Sequence, residues 1–491
     1  MFVTAASLPD ASRHRHEVVV IGGGAAGITL AGELADRGVD VAVVEGGARA
    51  ATTRSQDRYR GPLSLGDGLT YPALDQYRLR WFGGTTNHWG GWCRPLDPSA
   101  MAARPGITDG WPFGRDELDP WYEIAHRWCE IGRDEYRPRH LGPTGRALAE
   151  SVGDRLDIDV LRFSPPTRFG VVHAARFESA ASSPTAYLEA NCVEIACNGD
   201  AVTAVVIRDE SGGTHTVEGD TVVIACGAIE SVRQLLLMQR RGVRALGRSG
   251  RLGIGFHEHP HLSVGTILAP AEWVGSTAAR CVVGTGIDRD RTPYRATLAV
   301  PRSVRAEQGL SDVSFMFSTR PATGAGDSTT SATALERVAT AAIGDLVPLA
   351  VYARAEQRDE PTSRITLSDE NDDLGMPRAG LDWRMAQIDV ESIIRSRDLV
   401  ATRLFGAGFG PALEEPAGPG RLVTGGAHHM GGARLSDSPD RGVVDADLRC
   451  HGLANLYVCG SAVFPTSGWS NPTLTIVALA ARLAHHLAER A

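Results

Sequence analysis

Lysine is missing from all 491 residues, so the 50 basic side chains are arginine without exception. Neither a lysine Schiff base nor a Walker A lysine can form, which removes pyridoxal-phosphate enzymes and P-loop NTPases from consideration. Basic runs are missing as well, and 58 acidic residues leave a net charge of −8. That balance argues against nucleic acid as a partner. No uninterrupted apolar run reaches the ~18 residues a membrane span needs. The start, MFVTAASLPDASRHRHEVVVIGG, has no apolar segment between a basic start and a cleavage site, so the chain reads as cytoplasmic, with no membrane partner. The eight cysteines (Cys93, Cys129, Cys192, Cys197, Cys226, Cys281, Cys450 and Cys459) show no CxxC, haem or zinc spacing. They are expected as free, mostly buried thiols.

What is present suits a large folded chain. At 491 residues it exceeds the roughly 250 to 300 at which one hydrophobic core stops growing, so two domains, interleaved or consecutive, are expected. A hydrophobic fraction of 43% against 22% charged residues excludes disorder as the main feature.

The first chemical signal is EVVVIGGGAAGITLAGELADRGVDVAVVEGG. A β-branched run, Val18 to Ile21, leads into Gly22, Gly24 and Gly27 in GxGxxG spacing; an apolar helix beginning with Ala25 and Ala26 follows, then a second strand ending at Glu45. The glycines allow a tight turn, close approach to a pyrophosphate and close helix-to-strand packing, while the helix N-terminus supplies partial positive charge. Glu45 stands where an acid accepts ribose hydroxyls, which disfavours a 2′-phosphate. A glycine turn between a strand and a helix can be purely structural. Here strand, glycines, helix, strand and acid arrive in order, which points to a dinucleotide and leaves FAD and NAD both open.

A second stretch, RLRWFGGTTNHWGGWCRPLDP (residues 78–98), is dense in glycine and tryptophan, as expected for backbone lying close against a flat ligand or for a glycine turn with a packed indole. It resembles the flavin-proximal segment of the glucose-methanol-choline (GMC) oxidoreductases, in particular the sugar-oxidising branch that contains the pyranose oxidases. Three further stretches resemble the same family. NCVEIACNGDAVTAVVIRD and GDTVVIACGAIESVRQLLL read as a β-meander, a strand, a turn and a helix; GIGFHEHPHL is similar to the crossing into the substrate domain; GLANLYVCGSAVFPTSGWSNPTLTIVALAARLAHHL is similar to the C-terminal segment that returns to the flavin. The matches cover residues 18–103, 184–262, 363–384 and 421–487. Residues 263–362 match nothing identifiable, and substrate recognition is expected there. Within them RPATGAGDSTTSATALERV reads as a mobile loop or lid, or equally as an inert surface insertion.

The resemblance implies FAD, bound by the glycine turn, by Gly83, Gly84, Asn87, His88, Gly90, Gly91 and Trp92, and by Cys226 and Gly227. A strand residue near Val193 is expected to give backbone contacts at the adenine. Gly460 and Ser461, then Asn471, Pro472 and Thr473, are expected at the flavin. His88 falls where the pyranose oxidases carry a histidine linked covalently to the flavin, so a covalent bond there stays open beside the favoured noncovalent binding. Gly90 stands where those oxidases have a threonine, a departure that weakens the case for reaction with oxygen and leaves oxidase and dehydrogenase undecided.

Family members carry a catalytic histidine followed, in the C-terminal segment, by Asn or His. Here HHMGGARLS contains H-x-M-G-x-x-R beginning at His428, and Asn471 follows 43 positions later in SNPTLT. His428 is therefore expected as the proton acceptor and Asn471 as its partner. Histidine suits the task because its ordinary pKa of about 6.5 leaves it largely neutral near pH 7, and a base must reach the hydroxyl proton within a hydrogen bond. Read alone, a histidine in a glycine-rich turn is more often a structural hydrogen-bonder. His429 is the competing register and is expected to face away, in packing or backbone bonding. Adjacent histidines point in different directions and lack a third ligand, so no metal is assigned. FHEHPH, with His257, Glu258, His259 and His261, could be a metal cluster by composition; alternation places its histidines on one face, and a structural role at the domain crossing is expected.

The expected fold is α/β (α+β overall): a Rossmann-like FAD-binding domain built from residues 1–103, 184–260 and 422–491, and a substrate domain with a mainly antiparallel sheet from residues 104–183 and 261–421. The expected activity is oxidation of an alcohol to a carbonyl with hydride passing to the flavin. The substrate is expected to be a sugar, glycoside or aminoglycoside, with oxygen or another electron acceptor as the second partner. Alternatives are a dehydrogenase of a non-sugar alcohol and a redox-silent FAD-binding protein.

Overall fold

A computed structural model describes residues 1–105, 107–178, 183–319, 345–413 and 423–490. The β-branched strand Arg13–Ile21 pairs in parallel with Val41–Val44 on one side and Thr214–Ile224 on the other. Val18 to Ile21 and Val41 to Val44 are all buried, which is why they read as continuous apolar runs: both faces of a parallel sheet are covered. Phe2–Thr4 and Thr185–Leu188 extend this eight-stranded sheet at one edge, and the antiparallel strands Ala201–Arg208 and Asn191–Asn198 at the other, with Leu456–Val458 beside Thr214–Ile224. The helix Ala25–Ala35 and the apolar C-terminal helix Thr473–Ala488 join the core that covers it.

A second, ten-stranded sheet is built mainly from long antiparallel strands, including Asp157–Phe163, Pro260–Pro270, Pro293–Ala299, Val313–Ser318 and Leu346–Ala355. It carries its own apolar core, with Phe315, Phe317, Leu349 and Val351. A three-stranded sheet of Leu63–Leu65, Arg364–Asn371 and Pro377–Trp383 is tied to the helix Ala228–Arg240, where Arg233 donates to Asp372 (2.9 Å) and to the Pro377 carbonyl (2.6 Å). The α/β fold class is as expected, with a parallel nucleotide-type sheet and a mainly antiparallel second sheet.

The boundary drawn between residues 103 and 104 does not coincide with the layers. Trp92–Cys93 pairs with Asp157–Phe163, and Leu69–Thr70 pairs with Val423–Gly425, both in the ten-stranded sheet. Conversely, the helix Arg115–Trp128, expected in the substrate domain, packs on the nucleotide side: Trp128 Nε1 donates to Glu33 (2.8 Å), and the Tyr122 and Thr475 hydroxyls share a hydrogen bond of 2.8 Å. Its buried stripe of Leu118, Tyr122, Ala125 and Trp128 announces a helix that must be covered. Nothing in that pattern says which apolar surface covers it. The stretch read as loop or lid, residues 320–338, lies outside the described residues.

Candidate active site

The glycine turn takes the form its spacing implies. Gly22 sits at φ +112°, a conformation open to glycine, and a Cβ on Gly27 would lie 1.9 Å from the Gly22 carbonyl oxygen. The turn opens onto the N-terminus of Ala25–Ala35, whose first turn holds no acidic side chain. Glu45 accepts the Gly23 and Gly47 N–H groups, one on each oxygen (2.8 and 2.7 Å); a carboxylate so held keeps further acceptor capacity. These residues open onto a cavity of about 540 Å³ whose lining includes Gly22, Gly24, Ala25, Ala26, Glu45, Cys226 and Gly227. His428 and Asn471 line the same cavity, with Gly460, Ser461, Pro472 and Thr473. A glycine turn with no room for a Cβ at Gly22 or Gly27, a helix N-terminus and a buried acid, on one cavity, fit the pyrophosphate and ribose of FAD.

Gly84, His88, Gly90, Gly91 and Trp92 also line this cavity. His88 Nε2 donates to the Tyr77 carbonyl (3.3 Å), which leaves Nδ1 as its uncommitted nitrogen. At Gly90 a Cβ would lie 3.1 Å from the Trp92 ring, so the indole edge occupies the space that a larger side chain would take. Four residues expected at the cofactor do not line the cavity, the first being Gly27, which packs against the Gly22 carbonyl. Gly83 N–H donates to the Gly23 carbonyl (2.7 Å) and Asn87 Nδ2 to the Phe82 carbonyl (3.0 Å), so both brace the loop instead of lining the cavity. Val193 is buried with Leu237 and Met376, and its carbonyl accepts from Arg241 (2.9 Å); Ala190 and Cys192 line the cavity in its place. The backbone contact expected from a strand residue near Val193 is offered instead by these neighbours.

Around His428 the backbone explains the assembly. His257 and Met430 exchange both of their backbone hydrogen bonds (3.0 and 3.1 Å), laying FHEHPH antiparallel to HHMGG. Gly431, at φ +79°, lets this happen, since a Cβ there would lie 2.2 Å from the Gly255 carbonyl oxygen. Ala427, just before His428, holds φ +60°, a strained conformation of the kind that gathers at functional sites. The pairing seats His259 Nδ1 2.8 Å from His428 Nδ1. On the other side of the ring, Asn471 Nδ2 lies 2.8 Å from His428 Nε2. Glu258 accepts the His428 backbone N–H (2.9 Å) and the Tyr71 hydroxyl.

Burial dominates the charge state of this cluster. The His428 pKa lies well below its ordinary value, first through burial and then through His259, Arg354, His261 and His429. Burial likewise pushes His259 and His429 down to about 3. The Glu258 carboxyl is pushed up to about 7 by burial, against the hydrogen bonds from Tyr71 and three backbone N–H groups. His429 turns to Tyr71 and Phe256, with ring centroids 5.9 and 6.2 Å away, and its carbonyl accepts the Ser461 hydroxyl (2.7 Å). His259 and His261 face the His428 ring, whereas His257 bonds the Gly255 carbonyl (3.0 Å).

Sequence reasoning placed FHEHPH at the domain crossing but not against His428. The signal available was its density of histidine; the register that joins it to HHMGG is tertiary. Tyr71 and Arg354 carry no sequence signal at all, each standing in a stretch that resembles any other strand or loop.

Comparison with known proteins agrees with this architecture. Residues 17–246 match the FAD dependent oxidoreductase family and residues 359–480 match the GMC oxidoreductase family. Paromamine 6'-oxidase from Streptomyces fradiae is 28% identical over 520 residues, covering 96% of this chain and 91% of that protein. The fructose dehydrogenase large subunit from Gluconobacter japonicus is 24% identical over 562 residues, covering 95% of this chain and 97% of that one. Among solved structures, pyridoxine 4-oxidase from Mesorbium loti superposes with a TM-score of 0.61 at 18% identity, covering 96% of this chain and 99% of that chain. With a glycine turn and a histidine–asparagine pair on one cavity, and with residues 359–480 matching the GMC oxidoreductase family, the chain is an FAD-dependent enzyme acting on CH–OH groups.

Proposed function

We propose that the chain oxidises a hydroxyl of a sugar, glycoside or aminoglycoside to a carbonyl, with His428 as the base and Asn471 as its partner. The observation that carries this reading is the 2.8 Å pairing of His428 Nε2 with Asn471 Nδ2 on the wall of the cofactor cavity. A neutral imidazole nitrogen accepts the hydroxyl proton, and the amide N–H donates to the same oxygen, fixing the carbinol carbon. Bound FAD supplies the hydride acceptor. Gly22, Gly24, Ala25, Ala26 and Glu45 would hold its pyrophosphate and ribose, and Gly90, Gly91, Trp92 and Thr473 would border its ring system. The sugar class rests on the named activities of paromamine 6'-oxidase and fructose dehydrogenase.

Anaerobic mixing of the purified holoenzyme with paromamine, fructose and simple glycosides tests the reading. Bleaching of the flavin absorbance by one class supports it, and recolouring in air separates oxidase from dehydrogenase. Failure of every hydroxylated substrate to bleach a fully flavinated protein overturns the substrate class. Acid precipitation is expected to leave the flavin in the supernatant; flavin retained by the pellet and lost in His88→Ala would show a covalent bond at His88 instead.

A further inference from the structure

The ten-stranded sheet sends one charged side chain to the histidine–asparagine pair. In the pairing of Pro260–Pro270 with Leu346–Ala355, His261 and Arg354 stand directly opposite each other, so their side chains share a face of the sheet. That face meets His428, whose ring lies 5.0 Å from His259 and 6.1 Å from His261. The Arg354 guanidinium is buried, lies over the Trp92 ring at 4.8 Å, and donates from Nη1 to Asn471 Oδ1 (2.6 Å). Burial and Arg295 together lower its pKa to about 10, and no carboxylate among the described residues contributes. A buried cation without an acidic partner is costly.

The chemistry of the donors assigns every proton along the contact line. A guanidinium has five N–H donors and no acceptor, so Asn471 must present its oxygen to Arg354. Its amide nitrogen then faces His428 and can only donate. His428 Nε2 must receive that hydrogen bond with a lone pair, which places the proton of the neutral ring on Nδ1. Nδ1–H in turn donates to His259 Nδ1, 2.8 Å away, and His259 carries its proton on Nε2.

We propose that Arg354 is a positioning residue that acts through Asn471 to hold His428 in the one neutral tautomer that keeps its lone pair on Nε2, beside Asn471, where a substrate hydroxyl entering between the two side chains would give up its proton. The inference rests on the assignment of His428 as the base. Without Arg354 the Asn471 amide is free to turn its oxygen toward His428, which favours the tautomer protonated at Nε2 and blocks the base. The guanidinium charge also opposes protonation of the ring, alongside His259, His261 and His429, while the Glu258 carboxyl accepts the His428 backbone N–H. Arg295 stands behind Arg354, and Arg78 acts on His429 from the far side.

The test is nitrogen NMR of the FAD-bound protein labelled with ¹⁵N histidine, the His428 signals being assigned by their loss in His428→Gln. The wild type is expected to show a lone-pair Nε2 and a protonated Nδ1 that persist below pH 6.5. Arg354→Met is expected to abolish that pattern, by reversal of the tautomer or by a charged ring near pH 6, and Arg354→Lys to restore it. Asn471→Leu cuts the relay from the other side and is expected to lose the tautomer preference even where Arg354→Met fails to fold. An unchanged His428 pattern in flavinated Arg354→Met or in Asn471→Leu overturns the proposal. The rate of flavin reduction by paromamine at pH 7 is expected to fall about tenfold or more in Arg354→Met, as for loss of a hydrogen bond to a charged group, with the acid limb of kcat/KM moved upward. If His428→Ala reduces its flavin as fast as the wild type, the reading of His428 as base has failed, and the NMR result still decides whether Arg354 sets its tautomer.

Discussion

At the scale of single residues, the site rests on groups that burial keeps uncharged. As the proposed base, His428 would have to be neutral. Because its pKa lies below the ordinary histidine value, activity is expected to persist as pH falls through about 6.5 and to be lost only further down. A pH profile of kcat/KM with its acid limb at or above 6.5 would contradict this. His428→Ala is expected to lower flavin reduction by substrate about 100- to 10,000-fold, the range for removal of a general base, with the flavin still bound and the absorbance of the oxidised protein unchanged. Gly27 makes a different demand. Its missing Cβ would lie 1.9 Å from the Gly22 oxygen, so Gly27→Ala forces the cradle apart at a cost of about 1 to 3 kcal/mol. Equilibrium dialysis should show FAD binding weakened by at least tenfold; unchanged affinity would mean that the turn is not part of the cofactor site.

At the scale of elements, the helix Arg115–Trp128 shows how one surface secures another. A Cβ on Gly32 would meet the Trp128 ring at 2.6 Å, so the indole fills the space that glycine leaves in the nucleotide helix, and its N–H satisfies Glu33 (2.8 Å). Trp128→Ala is expected to cost about 3 to 5 kcal/mol, read as a lower denaturant midpoint. Trp128→Phe keeps most of the volume but removes the indole donor to Glu33 Oε1, leaving only the Arg37 pairing at Oε2 (2.9 Å), so it is expected to recover only part of that loss. Element identity was legible here: valine runs buried on both sides, a glycine turn and an apolar C-terminal helix each have a local cause. Partners were less so. The stripe of Leu118, Tyr122, Ala125 and Trp128 is equally consistent with either domain, and the short strands Leu69–Thr70 and Trp92–Cys93 are too brief to carry periodicity.

At the scale of the whole molecule, histidine burial ties stability to pH. His126, His257, His259, His261, His428 and His429 all have pKa values lowered chiefly by burial, to about 4 for His126 and about 3 for His259 and His429. The unfolded chain protonates these rings near pH 6.5 and the folded one does not, so stability is level above that pH and declines below it. Each contributes a slope of about 1.4 kcal/mol per pH unit until its folded pKa is reached. Glu258 and Asp389 oppose the trend: burial raises both to about 7, so their folded forms hold protons that the unfolded chain releases above about pH 4.3. Six groups outweigh two, and the unfolding midpoint is expected to drop steadily from pH 6.5 to 5. A midpoint that is flat or rising over that interval would refute the balance. Below pH 4 the paired carboxylates Asp97 and Glu135, both held near 2 by arginine, add to the loss.

The amino-acid order alone determined the nucleotide half of this protein, because GxGxxG, the strands beside it and Glu45 interact over short distances along the chain. It also determined the pairing of His428 with Asn471 through spacing within one family pattern. Tertiary structure decided what surrounds that pair. His259, Glu258 and Tyr71 reach His428 only because FHEHPH bridges to HHMGG through His257 and Met430, and Arg354 reaches Asn471 across 117 positions of sequence. Contacts of that length leave no periodicity, since their energy comes from burial and hydrogen-bond polarity that exist only once the two sheets have closed on the cavity.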